Sequence, residues 1–285
     1  VTTSLTTEIL PTHTPALFAA AVKSVMALLR AGEVVALPTE TVYGLAANAL
    51  DAAAVAKIFA LKGRPAHNPV IVHVDGLALA RRCARDWPAA AGRLAREFWP
   101  GPLTLVLPRA PEIPDLVTAG GDTVGIRWPA HPFMQAVIRE CGFPLAAPSA
   151  NLANQVSPTN ARHVHESFHG RLRFIVDGGQ SQVGIESTVI DLSVTPTRVL
   201  RPGMIHATAL AAVLGPEPFQ TKPSANTQAG TLRSPGLLPK HYSPKARLIL
   251  RAWRDEADLR TQLAALNCPT EHAHIIAHAH IPLDG

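Results

Sequence analysis

The feature that most constrains this chain is the strand-helix-strand pattern packed into residues 37–74, LPTETVYGLAANALDAAAVAKIFALKGRPAHNPVIVHV. A polar turn opens it, an alanine-rich stretch follows that Asp51 can cap and Gly63 can end, and a β-rich run closes it. Such a unit must be covered by further strands and helices, which commits the chain to a mixed α/β architecture. The same alternation continues over roughly residues 14–208. ALFAAAVKSVMALLRAG reads as a helix closed by Gly32, and EVVAL as a strand stopped by Pro38. LTLVL, TVGIR, FIVDG and STVIDL supply more strands.

At 285 residues there is room for one large domain, or a large and a small one. Hydrophobic residues at 47% and charged residues at 16% suit a globular α/β protein rather than a disordered one. The excess of 26 basic over 21 acidic residues points to anionic partners, nucleotides as readily as nucleic acid. Cys83, Cys141 and Cys268 are far apart and lack CxxC spacing, which argues against a disulfide framework or a zinc site. A soluble protein of the reducing cytoplasm is expected, because no run reaches the roughly 18 apolar residues of a membrane span and VTTSLTTEIL lacks the basic flank of a signal peptide.

The segment 209–245 changes character: GPEPFQTKPSANTQAGTLRSPGLLPKHYSPKA has no sustained periodicity and reads as an extended linker. Beyond it, in residues 246–285, RLILRAW, RDEADLRTQLAALN and AHIIAHAHI read as strand, helix and strand, too little to cover both faces of a sheet. The ladder His272, His274, His278 and His280 does not close a tetrahedron by itself, so no metal site is assigned to it.

Several turns carry candidate chemistry. In an extended PTET, Thr39 and Thr41 line one wall while Glu40 points away. Threonines are also ordinary strand and turn residues. In LKGRP, Gly63 and Pro65 stiffen an elbow that presents Lys62 and Arg64, either as phosphate-binding cations or as charges completing a helix C-terminus. His73 shares a strand face with Ile71, as ligand contact or structural residue. Thr123, Gly125 and Arg127 share another, with space over the glycine for an anionic ligand; an ion-paired Arg127 is the alternative. APSANLANQVSPT offers Ser149, Asn151 and Ser157 as hydrogen-bonding groups, or simply caps the helix that starts after Asn160. Without a GxSxG elbow, covalent serine catalysis is disfavoured.

Taken in order, PTETVYGL, KGRPAHNPVIVHV, PGPLTLVLPR, TVGIRWP, APSANLANQVSPT, GIESTVIDL, RPG and SPGLLPKHYSP strongly resemble the Sua5/YrdC/YwlC family, in its longer Sua5 type. The resemblance implies a YrdC-like twisted mixed sheet with helices around a concave basic cavity at 14–208, a linker at 209–245 folding over the cavity as a lid, and a partial Rossmann-like Sua5 domain at 246–285. It implies conversion of L-threonine, bicarbonate or CO2, and ATP to threonylcarbamoyl-AMP and pyrophosphate, a nucleotidyltransferase reaction feeding the N6-threonylcarbamoyladenosine modification of tRNA through downstream transferase proteins. By the same resemblance Thr41, His73, Ala147 and Ser187 surround threonine, while Arg64, Asn68, Thr123, Ser149, Ser157, Arg201 and Tyr242 surround ATP. Lys62, Arg64 and Arg127 offset phosphate charge, with Mg2+ accompanying ATP and no organic cofactor. Leu237 and Leu238 depart from the family's usual linker.

Two other readings compete. A basic surface gripping RNA or tRNA directly would need clustered Arg and Lys runs with stacking aromatics, and these are lacking, so RNA binding is weak at most. A carbamoyl-transfer relative of hydrogenase-maturation proteins would carry acylphosphatase and zinc-finger segments, and none is visible.

Overall fold

Capping chemistry and alternating burial build the architecture. The computed structural model describes residues 5–215, 219–220, 232–235, 248–266 and 274–276. In chain order they form β1 (Glu8–Pro11), α1 (Pro15–Arg30), β2 (Val35–Leu37), β3 (Gly44–Asn48), α2 (Ala52–Lys62), β4 (Val72–His73), α3 (Leu77–Cys83) and α4 (Ala89–Phe98). There follow β5 (Leu103–Pro108), α5 (Asp115–Thr118), β6 (Thr123–Arg127), α6 (Pro132–Cys141), β7 (Leu145–Ala146), α7 (Ala161–Phe168) and β8 (Phe174–Asp177). The series ends with β9 (Thr188–Asp191), β10 (Thr197–Arg201), α8 (Ala207–Leu214), β11 (Phe219–Gln220) and α9 (Glu256–Ala265). Asp51 accepts from the backbone N–H groups of Ala53 and Ala54 to start α2, and Gly63 ends it at φ 60 in the left-handed region, as the sequence requires. Thr14 and Asn160 cap α1 and α7 in the same way.

The described strands join in one mixed sheet of order β1-β8-β2-β3-β7-β4-β6-β5-β9-β10-β11. Its core follows from period-two burial along β2: Val34 and Ala36 enter one apolar cluster, Val35 and Leu37 the other. Val25 and Leu29 of α1 with Phe133 and Val137 of α6 cover one face. Ile58 of α2, Leu94 of α4, Phe168 of α7 and Leu210 of α8 belong to the other cluster. Each fully buried Leu, Ile or Phe side chain contributes roughly 1.5–3 kcal/mol. The sheet therefore lies between two helical layers, and its loops are left to make the site.

VIVHV forms strand only at Val72–His73, because the flanking backbone bonds elsewhere: the Val70 N–H donates to Val117 and the Ile71 carbonyl accepts from Ala147. β1 extends the sheet ahead of residue 14, pairing in parallel with β8. The described residues fall into two units, Val1–Pro244 and Lys245–Gly285. In the second, the helix expected around residues 254–267 is α9, capped by Asp255. The strand expected from RLILRAW is not formed at residues 248–253, nor is strand present at 274–276. A short apolar run gains nothing from an extended conformation unless a neighbouring strand takes up its N–H and C=O groups. Leu237, Leu238, Tyr242, Cys268, His272, His278 and His280 lie outside the described residues. Cys83 and Cys141 are buried free thiols, pushed up to about 12 and about 11 by burial. Among the described residues no helix is long and apolar enough to cross a membrane, and no cluster of three His, Cys, Asp or Glu residues could hold a metal ion.

Candidate active site

β2 and β3 are antiparallel neighbours with Leu37 opposite Gly44, so the PTETVY segment must turn sharply between them. Thr39 makes the turn. Its Oγ1 accepts from the N–H groups of Thr41 and Val42, each at 3.2 Å, and donates to the Val42 carbonyl at 2.6 Å. With that proton committed, the Thr41 hydroxyl 2.9 Å away donates to Thr39, leaving Thr41 acceptor lone pairs for the cleft it lines. Tyr43 anchors the loop by donating to the Gly179 carbonyl and accepting from the Gly178 N–H; burial pushes its hydroxyl up to about 12.

Glu40 points inward. Its carboxylate is buried, 2.6 Å from Arg127 Nη2 and 3.0 Å from the Ala130 N–H. Arg127 is 3% exposed and ion-paired within the fold, the alternative offered by the sequence, while it also lines the cleft. Nothing local in the sequence marks this partnership, because 87 residues separate the two. Register places His73 of β4 directly beside Arg127 of β6. Burial, reinforced by the Arg127 charge, pushes the His73 imidazole down to about 3, so it is neutral at physiological pH; its Nδ1 is buried without a hydrogen-bond partner. His73 lines the cleft, so its neutral ring can meet a ligand's polar group there.

The elbow after α2 is built differently from a basic wall. Lys62 is 3% exposed and its ammonium donates to the Ser149 and Asn151 carbonyls, both at 2.5 Å. It therefore shapes the SAN loop, from behind the cleft lining. Burial pushes Lys62 down to about 7, with the neighbouring Arg64 charge adding to the fall. Between pH 7 and the ordinary lysine range the unfolded chain holds a proton that the folded chain has released, so stability from this group rises with pH across that window. Relative to Lys62→Met, the wild-type domain should gain about 1.4 kcal/mol per pH unit from pH 7.5 to 9.5 in urea unfolding; parallel curves would show that Lys62 keeps an ordinary proton affinity.

Arg64 folds back over its own loop, Nε donating to the Asn68 carbonyl at 3.0 Å and Nη2 to Pro69 at 2.6 Å. This holds a guanidinium on the cleft wall. Across the cleft Arg201 is fixed by the Ser187 carbonyl and hydroxyl, each at 3.0 Å. Ser187 Oγ also lies 2.8 Å from Thr104 Oγ1 and is fully buried, so Ser187 stands behind Arg201. Ser157 donates to Glu186, whose other carboxylate oxygen lies 3.9 Å from Arg201. RPG needs its glycine here: a Cβ on Gly203 would fall 2.5 Å from the Thr188 nitrogen and 2.6 Å from the Glu186 carbonyl oxygen.

Thr41, Arg64, His73, Arg127, Ala147, Ser149 and Arg201 thus line one narrow cleft, with about 30 Å3 of free space for water-sized groups. Thr123 instead lines an adjoining crevice too tight to admit a water molecule. Lys62, Asn68, Ser157 and Ser187 are not on the cleft lining. Sequence reasoning missed Glu40 and Glu186, the second despite its place in GIEST beside Ser187. It also missed Pro235, the linker residue that lines both the cleft and the crevice.

A mixed sheet with a hydroxyl-bearing turn, a neutral buried imidazole and arginines on one cleft defines an α/β domain whose cleft chemistry suits a small polar ligand beside an anionic one. The chain belongs to the Sua5/YciO/YrdC family: the family described as "Telomere recombination" matches residues 27–203, and the "Threonylcarbamoyl-AMP synthase, C-terminal domain" matches residues 205–282. Among curated proteins it is 45% identical over 223 residues to the threonylcarbamoyl-AMP synthase of Pyrococcus abyssi, covering 78% of this chain and 65% of that protein. It is likewise 45% identical over 245 residues to that of Bacillus subtilis, covering 86% and 69%. The chain thus spans about two thirds of the length of these relatives. Among solved structures, P. abyssi Sua5 complexed with L-threonine aligns with TM-score 0.83 and 40% identity, over 92% of this chain and 76% of the other.

Proposed function

We propose that this chain is a threonylcarbamoyl-AMP synthase, joining L-threonine, bicarbonate or CO2, and ATP, with release of pyrophosphate. The carrying observation is one cleft that unites Thr41, His73 and Ala147 with Arg64 and Arg201, in a family whose Pyrococcus member was crystallised with L-threonine. Thr41 offers acceptor lone pairs to a ligand ammonium, and the neutral His73 ring a further polar contact. Ala147 contributes no side-chain polarity; a Cβ added at Gly44 would lie 3.3 Å from the Ala147 Cβ, so the floor of the cleft stays close-packed. The neutral threonine amine adds to CO2 and releases one proton to give a carbamate, whose oxygen attacks the ATP α-phosphorus; the bond from that phosphorus to the α,β-bridging oxygen breaks and pyrophosphate departs. Such a displacement asks the protein for alignment and charge compensation rather than a nucleophile. Arg64 and Arg201 supply both as bidentate donors.

Among the described residues a single carboxylate of the cleft lining, held here by Ser157 and Arg201, suits Mg2+ only together with phosphate oxygens. Glu186 is the carboxylate on the cleft lining, and Mg2+ is commonly held by one or two carboxylates with phosphate oxygens and water. Glu186 would hold the ion, whose chemistry is to offset phosphate charge. The product would serve a transferase acting on tRNA adenosine.

The experiment is to incubate the chain with labelled threonine, bicarbonate, ATP and Mg2+, and to follow pyrophosphate and a labelled adenylate. Both should appear, each dependent on threonine and bicarbonate. Pyrophosphate release that ignores threonine would reject the substrate assignment.

A further inference from the structure

Asp191, at the end of β9, is fully buried, and a buried carboxylate must be compensated. One oxygen accepts from the Ser193 N–H at 3.0 Å and its hydroxyl at 2.5 Å. The other lies 3.3 Å from Arg198 Nη2, supplied by the antiparallel register of β9 and β10, and 3.7 Å from Arg233 Nη1. Arg233 also donates to Ser193 Oγ at 2.8 Å. It is thus a second cation on a carboxylate that Arg198 and Ser193 already satisfy, and the fold does not need it for that purpose.

What Arg233 does accomplish is visible in the two residues after it. Ser234 is 1% exposed, and Pro235 lines both the polar cleft and the adjoining crevice that Thr123 lines. Ile71, just ahead of β4, is the other residue common to both linings. We propose that Arg233 is a positioning residue: by clamping onto Asp191 and Ser193 it fixes Ser234 and Pro235 as a wall between the polar cleft and the packed crevice beside it, so that ligand affinity depends on an ion pair away from the polar cleft. The kinetic part rests on the synthase reading above, whereas the structural part does not.

The test separates them. In a Cys268→Ser background, where Cys83 and Cys141 are buried, Ser234→Cys introduces a thiol whose reaction with a disulfide reagent reports whether the wall is seated. Adding Arg233→Ala should accelerate that reaction about tenfold or more, as local opening no longer opposes an ion pair and a hydrogen bond. Arg233→Lys should restore part of the protection, and Arg254→Ala should change nothing. The melting temperature should move by less than about 3 °C, because Asp191 keeps Arg198 and Ser193. With Ser234 left native, Arg233→Ala should raise KM for threonine or ATP about tenfold with kcat less affected. An unchanged labelling rate overturns the proposal, whatever the activity. Faster labelling in a protein that makes no adenylate keeps the clamp and rejects the synthase reading. Faster labelling with unaltered KM in an active enzyme rejects the link between wall and affinity.

Discussion

Glu40→Ala is expected to lower the stability of the unit Val1–Pro244 by about 3–5 kcal/mol, the loss that follows when one partner of a buried ion pair is removed. The side chains of Arg127 and Glu40 are only 4% and 7% exposed, so water cannot take over the role of the missing carboxylate. The Ala130 N–H would lose its acceptor as well. Against a total of about 5–15 kcal/mol for a typical domain, that is a large fraction. The measurement is the urea midpoint at constant slope. Removing both charges with Glu40→Leu and Arg127→Met should recover much of the loss, since the cost lies in the unpaired charge. A single variant no weaker than an exposed-site control would mean that the pair is not formed.

The second large effect concerns turnover. Arg64→Ala should reduce kcat/KM for adenylate formation by about 100-fold or more, the scale of removing one preorganised donor from a developing charge, roughly 2.7 kcal/mol. Stability should fall less, because the carbonyls of Asn68 and Pro69 that lose their donor lie on a loop. Arg64→Lys tests the geometry. A lysine keeps the charge but cannot span both carbonyls and still present a flat fork to phosphate, so it should recover only a minor share of the rate. Equal losses in rate and stability would assign Arg64 to the loop alone.

Both predictions turn on partners that no local pattern reveals. The helix with Asp51 at one end and Gly63 at the other was readable because capping acts within a few residues. The convergence of the threonine turn and Arg64 on one cleft was readable only through the ordered motifs. Three features were not legible locally. Lys62 shares the elbow with Arg64 but is drawn inward by the Ser149 and Asn151 carbonyls, and Arg127 is drawn to Glu40. RLILRAW has the composition of a strand, yet an extended segment is stable only when a neighbour completes its hydrogen bonds.

The amino-acid sequence by itself determined the α/β alternation, the helix limits and the set of polar turns, because these depend on periodicity and on contacts a few residues apart. Tertiary structure decided which of the charged groups face the cleft and which are spent inside the protein. That choice depends on desolvation and on partners brought together from distant parts of the chain, as Glu40 with Arg127 and Asp191 with Arg233 show.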